Sequence, residues 1–407
     1  MDRKGIRLTH PVRTVVLCEG ECKMAQQRSK SNKKFMLLSA IGIFMVVDHH
    51  TFTAFNLFGS FIPYNSFFMP MFVFISGYFN KVNSGTKLLP YFGKKLKTLI
   101  LPYIGISVIV YILQQLMNLL KTGEIDMLSP WYLSYILERV VTVGSPFAIC
   151  TPMWFVIALF STLIVYAILK KLLGRIWNSY VMLVLFFALH LLAIYLAKNT
   201  DPETICPFLV PLKVLFFLPF LELGIIYRDR LENKHEAMSG GGKLGLMALL
   251  LVFNAVRTMY LPMPYDVAFD SIDDLSGFTS PYIVTPMISS IVGILFWLTL
   301  TELVGKPLCE SRFVNYMSCN TFWIMGLHIV FFNIVNCILM LLCNVIELPY
   351  FDVEAFRESE WYYWELSSNF KIVYVLAGLL GPLALKWLFD LICSPLQKIG
   401  GKKQIAT

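Results

Sequence analysis

The sequence predicts an all-α, polytopic membrane protein with about ten transmembrane helices and both termini in the cytoplasm. Hydrophobic residues make up 57% of the 407 residues and charged residues only 15%, whereas soluble domains are closer to half apolar and a quarter charged. The apolar residues fall in stretches of about 20, the length that crosses about 30 Å of hydrocarbon. Basic residues are concentrated in alternate connecting segments, as expected of a chain that crosses a membrane repeatedly.

Ten stretches are candidates for membrane spans. They lie near residues 35–57, 66–82, 98–120, 151–170, 178–197, 207–227, 243–261, 284–303, 319–344 and 371–393. The second stretch is short and contains Pro70 and Gly77. Such residues are tolerated in transmembrane helices where neighbouring helices satisfy the freed backbone groups.

The distribution of lysine and arginine predicts the orientation of these spans. With the N-terminus inside, 26 of the 34 basic residues fall in inner segments and six in outer segments or at outer span ends. The net charge of +8 therefore reflects orientation and does not indicate a nucleic-acid partner. The chain divides into a basic cytoplasmic tail over residues 1–34, a single transmembrane domain over residues 35–393, and a second basic tail over residues 394–407.

The first 23 residues differ from the segment that follows them. Met24 is followed by a short basic stretch that leads into the first span. Two interpretations stay open, namely a disordered tail over residues 1–23 or a true start at Met24.

Three ionisable side chains, Asp48, His49 and His50, interrupt the apolar stretch from Phe35 to Phe58. Ionisable groups inside a membrane are costly and by default mark a functional site. A histidine is well suited to act as a general base near neutral pH. His50 is expected about 22 Å from the inner end of its helix, and His49 points about 100° away from it. The alternative is a histidine that only packs between helices.

Other candidates are weaker. Lys94, Lys95 and Lys97 form a basic run that could bind phosphate groups of a lipid or of a nucleotide-bearing donor, or could only anchor the chain at the inner surface. Trp154 begins an apolar stretch as an interfacial aromatic, and His328 lies in the ninth span. The nine cysteines show no familiar metal spacing, so no metal is expected.

Several motifs, taken together, resemble a known family. In chain order they read SAIGIFMVVDHHT, FFMPMFVFISGYF, KKLKTLILPY, MWFVIALF, FLPFLELGIIYR and NTFWIMGLH. Their order and spacing resemble the type-3 membrane acyltransferases, which include bacterial surface-polysaccharide O-acetyltransferases. The resemblance covers residues 35 to about 393.

The resemblance implies an integral membrane O-acyltransferase in the cell membrane. The donor would be acetyl-CoA or another acyl-CoA from the cytoplasm. The acceptor would be a hydroxyl of a cell-surface glycan or its lipid-linked precursor. The implied roles are general base for His50, with Asp48 orienting a histidine and His49 beside them, donor binding for Lys94, Lys95 and Lys97, and acceptor binding for Trp154 and His328.

Two departures from the family pattern bear on these roles. Lysines stand where the family often has Arg-x-x-Arg, and a lysine is a point charge without the bidentate fork of arginine. His49 stands where the family has a small residue, so the acceptor does not carry over.

A transporter is the main rival interpretation. A buried Asp-His-His cluster would also suit proton coupling in a glycan flippase or exporter. No internal repeat is evident in the sequence, which disfavours a transporter. A sensing membrane domain without catalysis is a further alternative.

Overall fold

The computed structural model describes residues 33–51, 62, 67–125, 129–201, 204, 206–260, 283–304, 306–359 and 367–400. All regular secondary structure in these residues is helical. The predicted all-α class is therefore confirmed.

Fourteen helices are defined in this described part, and several contain short 3₁₀ or π turns. They are α1 (Lys33–His49), α2 (Phe68–Phe79), α3 (Leu88–Thr122), α4 (Pro130–Thr142), α5 (Ala148–Leu172), α6 (Ser179–Asn199), α7 (Cys206–Glu236), α8 (Gly240–Tyr260), α9 (Thr285–Val304), α10 (Lys306–Glu310), α11 (Arg312–Cys319), α12 (Thr321–Leu342), α13 (Val353–Glu358) and α14 (Ser367–Gly400).

Eight helices within the described residues are long and apolar enough to cross a membrane, namely α3, α5, α6, α7, α8, α9, α12 and α14. The chain is therefore a multi-pass membrane protein. The two remaining predicted spans correspond to α1, with 17 residues, and α2, with 12 residues. The rest of the first predicted span, after Thr51, lies outside the described residues, so a count of ten stays a prediction. The helices α4 and α13 lie in segments that the sequence assigned to connections.

A network of charged side chains links α1, α7, α8 and α9 at one end of the bundle, here called the inner end. Lys34 at the start of α1 contacts Glu232 and Glu236 at the end of α7, with N to O distances of 2.7 and 2.6 Å. Glu302 near the end of α9 lies 3.4 Å from Lys34 and 2.8 Å from Lys243 of α8. All these segments carry the inner basic residues of the predicted orientation, so the helix directions agree with it. The identity of the inner side as the cytoplasm stays a prediction.

A close crossing of two helices packs α2 against α7. A Cβ atom on Gly77 would lie 2.1 Å from the carbonyl oxygen of Leu221, and one on Gly224 would lie 2.1 Å from the carbonyl oxygen of Phe74. Small residues at such crossings let transmembrane backbones approach closely. The two glycines therefore fix the distance between α2 and α7.

Replacing Gly224 by alanine is expected to destabilise the protein by about 1–3 kcal/mol, because the new methyl group would meet backbone that has to move. Gly245→Ala in α8 is the matched control, since a Cβ there has nothing within 4 Å. Thermal unfolding midpoints measured in the same detergent compare the stability of the two variants. Equal midpoints for the two variants would contradict the close-approach argument.

Glycines also set the position of α12, which carries His328. A Cβ on Gly378 of α14 would lie 2.5 Å from the ring of Phe332 and 2.9 Å from Val47 of α1. A Cβ on Gly326 of α12 would lie 2.6 Å from Ile106 of α3. The helix α12 is thus held between α1 and α14 on one side and α3 on the other.

Candidate active site

Two histidines from distant parts of the chain meet inside the bundle. His50 directly follows α1, and His328 lies in the first half of α12. Their ring centroids are 4.9 Å apart, with the ring planes tilted by 58°. His328 is fully buried and His50 is half-buried. The sequence assigned the two residues to separate spans, and the fold brings them into one site.

Hydrogen bonds to backbone carbonyls determine the tautomer of both imidazole rings. The Nδ1 atom of His50 lies 2.7 Å from the carbonyl oxygen of Val46, and that of His328 lies 2.9 Å from the carbonyl oxygen of Ile324. A carbonyl only accepts hydrogen bonds, so each Nδ1 must carry the proton. In a neutral imidazole the lone pair is then on Nε2. This is the tautomer that a general base with Nε2 directed at its substrate requires.

His328 presents an unsatisfied atom to the interior. Its Nε2 is buried and has no hydrogen-bond partner among the residues that the structure describes. A buried polar atom without a partner costs about 1–3 kcal/mol. A hydroxyl of a bound substrate would satisfy it, consistent with the predicted role of His328 in acceptor binding.

Asp48 pairs with a lysine from the other end of the sequence. Its Oδ1 lies 2.8 Å from Nζ of Lys371 in α14, and the two side chains are 0% and 9% exposed. The hydroxyl of Thr51 donates to the backbone oxygen of Asp48 at 2.7 Å. The ion pair thus ties the end of α1, where His50 lies, to α14. The sequence analysis assigned no role to Lys371.

His49 lies beside His50 but packs on a different neighbour. Its ring centroid is 5.5 Å from that of His50 and 5.6 Å from that of Phe68 at the start of α2.

Within the described residues, no three His, Cys, Asp or Glu side chains are placed to hold a metal ion. The expectation that no metal takes part stays a prediction.

Trp154 lies in the packed interior, where only 4% of the residue is exposed. Its ring is within 7° of parallel to that of Phe217, at a centroid distance of 6.1 Å. Nζ of the fully buried Lys213 lies 4.4 Å from the Trp154 ring and donates to the carbonyl oxygen of Val143 at 2.7 Å. The side chain therefore packs against α7, and its role in acceptor binding stays a prediction.

The predicted donor-binding lysines lie near the start of α3. Lys94 and Lys97 are exposed, and Lys95 is half-buried with Nζ 5.7 Å from the ring of Tyr91. Lys97 lies in a π turn, Leu96–Ile100. Such turns are rare and occur frequently at functional sites. Their exposure makes Lys94 and Lys97 accessible to an anionic ligand.

The helices and the histidine pair define a multi-pass membrane protein with a candidate general base between its helices. A family model described as an acyltransferase domain matches residues 34–391. The chain therefore belongs to the type-3 acyltransferase family, and the resemblance seen in its motifs is confirmed. No curated protein and no solved structure matches the chain significantly.

Proposed function

We propose that this acyltransferase moves an acyl group, acetyl in the simplest case, from cytoplasmic acyl-CoA to a hydroxyl of a cell-surface glycan or its lipid-linked precursor. The observation that carries the proposal is the hydrogen bond from His50 Nδ1 to Val46, at 2.7 Å, which places the lone pair on Nε2.

The proposed chemistry is a direct acyl transfer. Nε2 of His50 takes the proton from the acceptor hydroxyl while the hydroxyl oxygen attacks the thioester carbonyl. A new ester C–O bond forms, the C–S bond breaks, and the proton passes to the departing CoA sulfur. His328, whose ring lies 4.9 Å from that of His50, would accept a hydrogen bond from a neighbouring hydroxyl of the acceptor through its own Nε2.

The donor would enter from the inner end of the bundle. CoA carries several phosphate groups, and Lys94, Lys95 and Lys97 offer ammonium groups that form charge-assisted hydrogen bonds to phosphate oxygens. In the orientation predicted from the basic residues, these lysines face the cytoplasm.

A transfer assay on the purified protein tests this proposal. The protein in detergent is incubated with acetyl-CoA labelled in the acetyl group. Glycan extracted from the cells that produce this protein is added as the acceptor. Label in the glycan, with an equal amount of free CoA, is expected. Movement of glycan across a vesicle membrane without consumption of acetyl-CoA would favour the transporter instead.

Replacing Lys94, Lys95 and Lys97 together by glutamine is expected to raise KM for acetyl-CoA by at least about tenfold, because the loss of even one charge-assisted hydrogen bond costs about 1.5–3 kcal/mol. KM for the glycan should stay unchanged in the same assay. Lys81→Gln with Lys87→Gln is the matched control, since both are exposed lysines that precede the run. A rise in KM for the glycan instead would show that the assigned role, or the orientation, is wrong.

A further inference from the structure

A polar cleft opens between the last turns of α3, the start of α4, α12 and α13. Its volume is about 560 Å³. This cleft is distinct from the lysine run, which lies near the opposite end of α3. Within the described residues, neither the histidine pair nor any predicted site residue lines it.

The cleft lies on the predicted outer side of the histidine pair. Asn333 of α12 lines it, five residues beyond His328 and so about 7.5 Å further along the helix. The direction is away from the inner end, because α12 begins after the inner segment 306–312. A ligand in contact with Asn333 would therefore lie about 7.5 Å beyond the level of His328, on the side opposite to the donor.

Three amide side chains contribute to the lining of the cleft. Gln114, Asn118 and Asn333 line the cleft, and each amide can both donate and accept hydrogen bonds. Oε1 of Gln114 is buried and has no hydrogen-bond partner among the described residues. A ligand that donates, such as a hydroxyl, would satisfy this atom and remove its cost.

Aromatic side chains form the rim on α4. Trp131 and Tyr132 line the cleft, and Trp131 is 76% exposed. Its ring lies within 9° of parallel to that of Tyr135, at a centroid distance of 6.2 Å. A flat, exposed indole presents a broad apolar face with a polar edge. The apolar C–H face of a sugar ring packs well on such a surface.

The charges in the lining balance. Lys121 and Arg357 face the cleft together with Glu124 and Glu358. Nζ of Lys121 donates to the carbonyl oxygen of Ser359 and lies 4.8 Å from the ring of Phe356, so it holds α13 in place. A site for an anionic headgroup would instead need a net positive lining.

We propose that this cleft binds a neutral, hydroxyl-rich sugar unit of the acceptor glycan. Gln114 accepts a hydrogen bond from a sugar hydroxyl, and Trp131 stacks on the sugar face. The inference rests on the proposed function for the choice of a glycan as the acceptor. It places the aromatic platform for the sugar at Trp131 on α4.

Direct binding tests the cleft without turnover. The probe is a set of fluorescent oligosaccharides made by partial acid hydrolysis of the glycan from the producing cell. Binding is measured by fluorescence anisotropy on the His50→Ala protein in lipid nanodiscs. Trp131→Ala and Gln114→Ala, each added to that background, should weaken binding about five- to tenfold, the effect of one lost hydrogen bond or stacking contact.

Trp387→Ala is the matched control, because Trp387 is an exposed tryptophan on α14, 58% exposed, that does not line the cleft. It should bind the oligosaccharides as tightly as the parent protein. Equal affinities for the cleft variants and this control would overturn the proposal. So would an absence of oligosaccharide binding, or binding that anionic lipid headgroups abolish by competition.

The binding measurements and the transfer assay together distinguish a failure of the cleft proposal from a failure of the proposed reaction. If labelled acetyl reaches the glycan but the cleft variants bind normally, the cleft proposal fails and the reaction stands. If no acetyl is transferred but the cleft variants lose binding, the cleft proposal stands and the reaction fails.

Discussion

Replacing His50 by alanine is expected to lower kcat for acyl transfer by about 10²–10⁴-fold, the usual contribution of a general base. The reason is that the lone pair on Nε2, fixed by the hydrogen bond of Nδ1 to Val46, has no substitute in alanine. Initial rates with labelled acetyl-CoA measure the effect. Expression and membrane insertion should stay close to those of the parent protein, because the residue as a whole is only half-buried.

His190 supplies the control for the loss of a buried imidazole. Its Nδ1 also bonds a backbone carbonyl, that of Phe216, at 2.8 Å, and the residue is fully buried. His190→Ala should lower the unfolding midpoint while the folded fraction keeps its turnover.

His49→Ala should lower kcat less than His50→Ala, because the two rings face different neighbours. A His50→Ala protein with more than about half of the parent turnover would remove His50 from the mechanism.

The sequence predicted the features that the bilayer itself imposes. In hydrocarbon every backbone polar group must be satisfied within the chain, so apolar stretches of sufficient length become helices. The alternation of basic residues then predicted which helix ends lie together, and Lys34 does meet Glu232 and Glu302 at one end of the bundle. A triplet of ionisable residues inside an apolar span was likewise recognisable, because such residues are costly there.

Contacts between helices could not be predicted in the same way. Helix geometry gives the depth of His50 and the direction of each side chain about its own axis, but not which helix stands opposite. The pairing of His50 with His328 depends on close packing at Gly378, whose absent Cβ lets α14 approach Val47 and the Cβ atom of His328. Glycines occur in many spans, so this one carried no distinguishing signal.

One missed element did leave a signal in the sequence. The helix α4 lies in the segment 121–150, which was assigned to a connection. Ser129 caps it by accepting a hydrogen bond from the backbone N–H of Tyr132 at 3.1 Å, and Pro130 occupies the first helical position. A serine followed by a proline is a recognisable helix start. The hydropathy of the segment, too low for a span, concealed it.

The sequence indicated that Asp48 needs a cationic partner but did not identify it. A carboxylate inside a span requires a cation, because an uncompensated buried charge is strongly unfavourable. Lys371 lies at the outer start of the last predicted span, at a depth similar to that of Asp48. The sequence places both at the outer side but offers no means of choosing Lys371 over other outer cations.

The second large effect is expected at this ion pair. Asp48→Asn should destabilise the protein by about 3–5 kcal/mol, because Lys371 would keep a buried charge without its partner. Lys371→Met should destabilise the protein by a similar amount, because the buried carboxylate of Asp48 would then lack its cation. The side chains are 0% and 9% exposed, so solvent screens the pair little. Thermal unfolding in one detergent measures both variants.

The double variant Asp48→Asn with Lys371→Met gives the sharper test. It removes both charges at once, and replacing a buried ion pair by neutral side chains is often close to neutral for stability. The unfolding midpoint should therefore recover most of the loss seen in either single variant. The exposed pair of Lys33 and Glu310, at 3.2 Å, is the control, and Glu310→Gln should cost at most about 1 kcal/mol.

Activity in the double variant then separates two roles for Asp48. If the pair only anchors the end of α1 to α14, the refolded double variant should transfer acyl groups at close to the parent rate, since His50 keeps its bond to Val46. If the carboxylate itself influences a histidine, stability should return while kcat stays low. Single variants as stable as the parent would contradict the anchoring role, because a buried charge without its partner has a large cost.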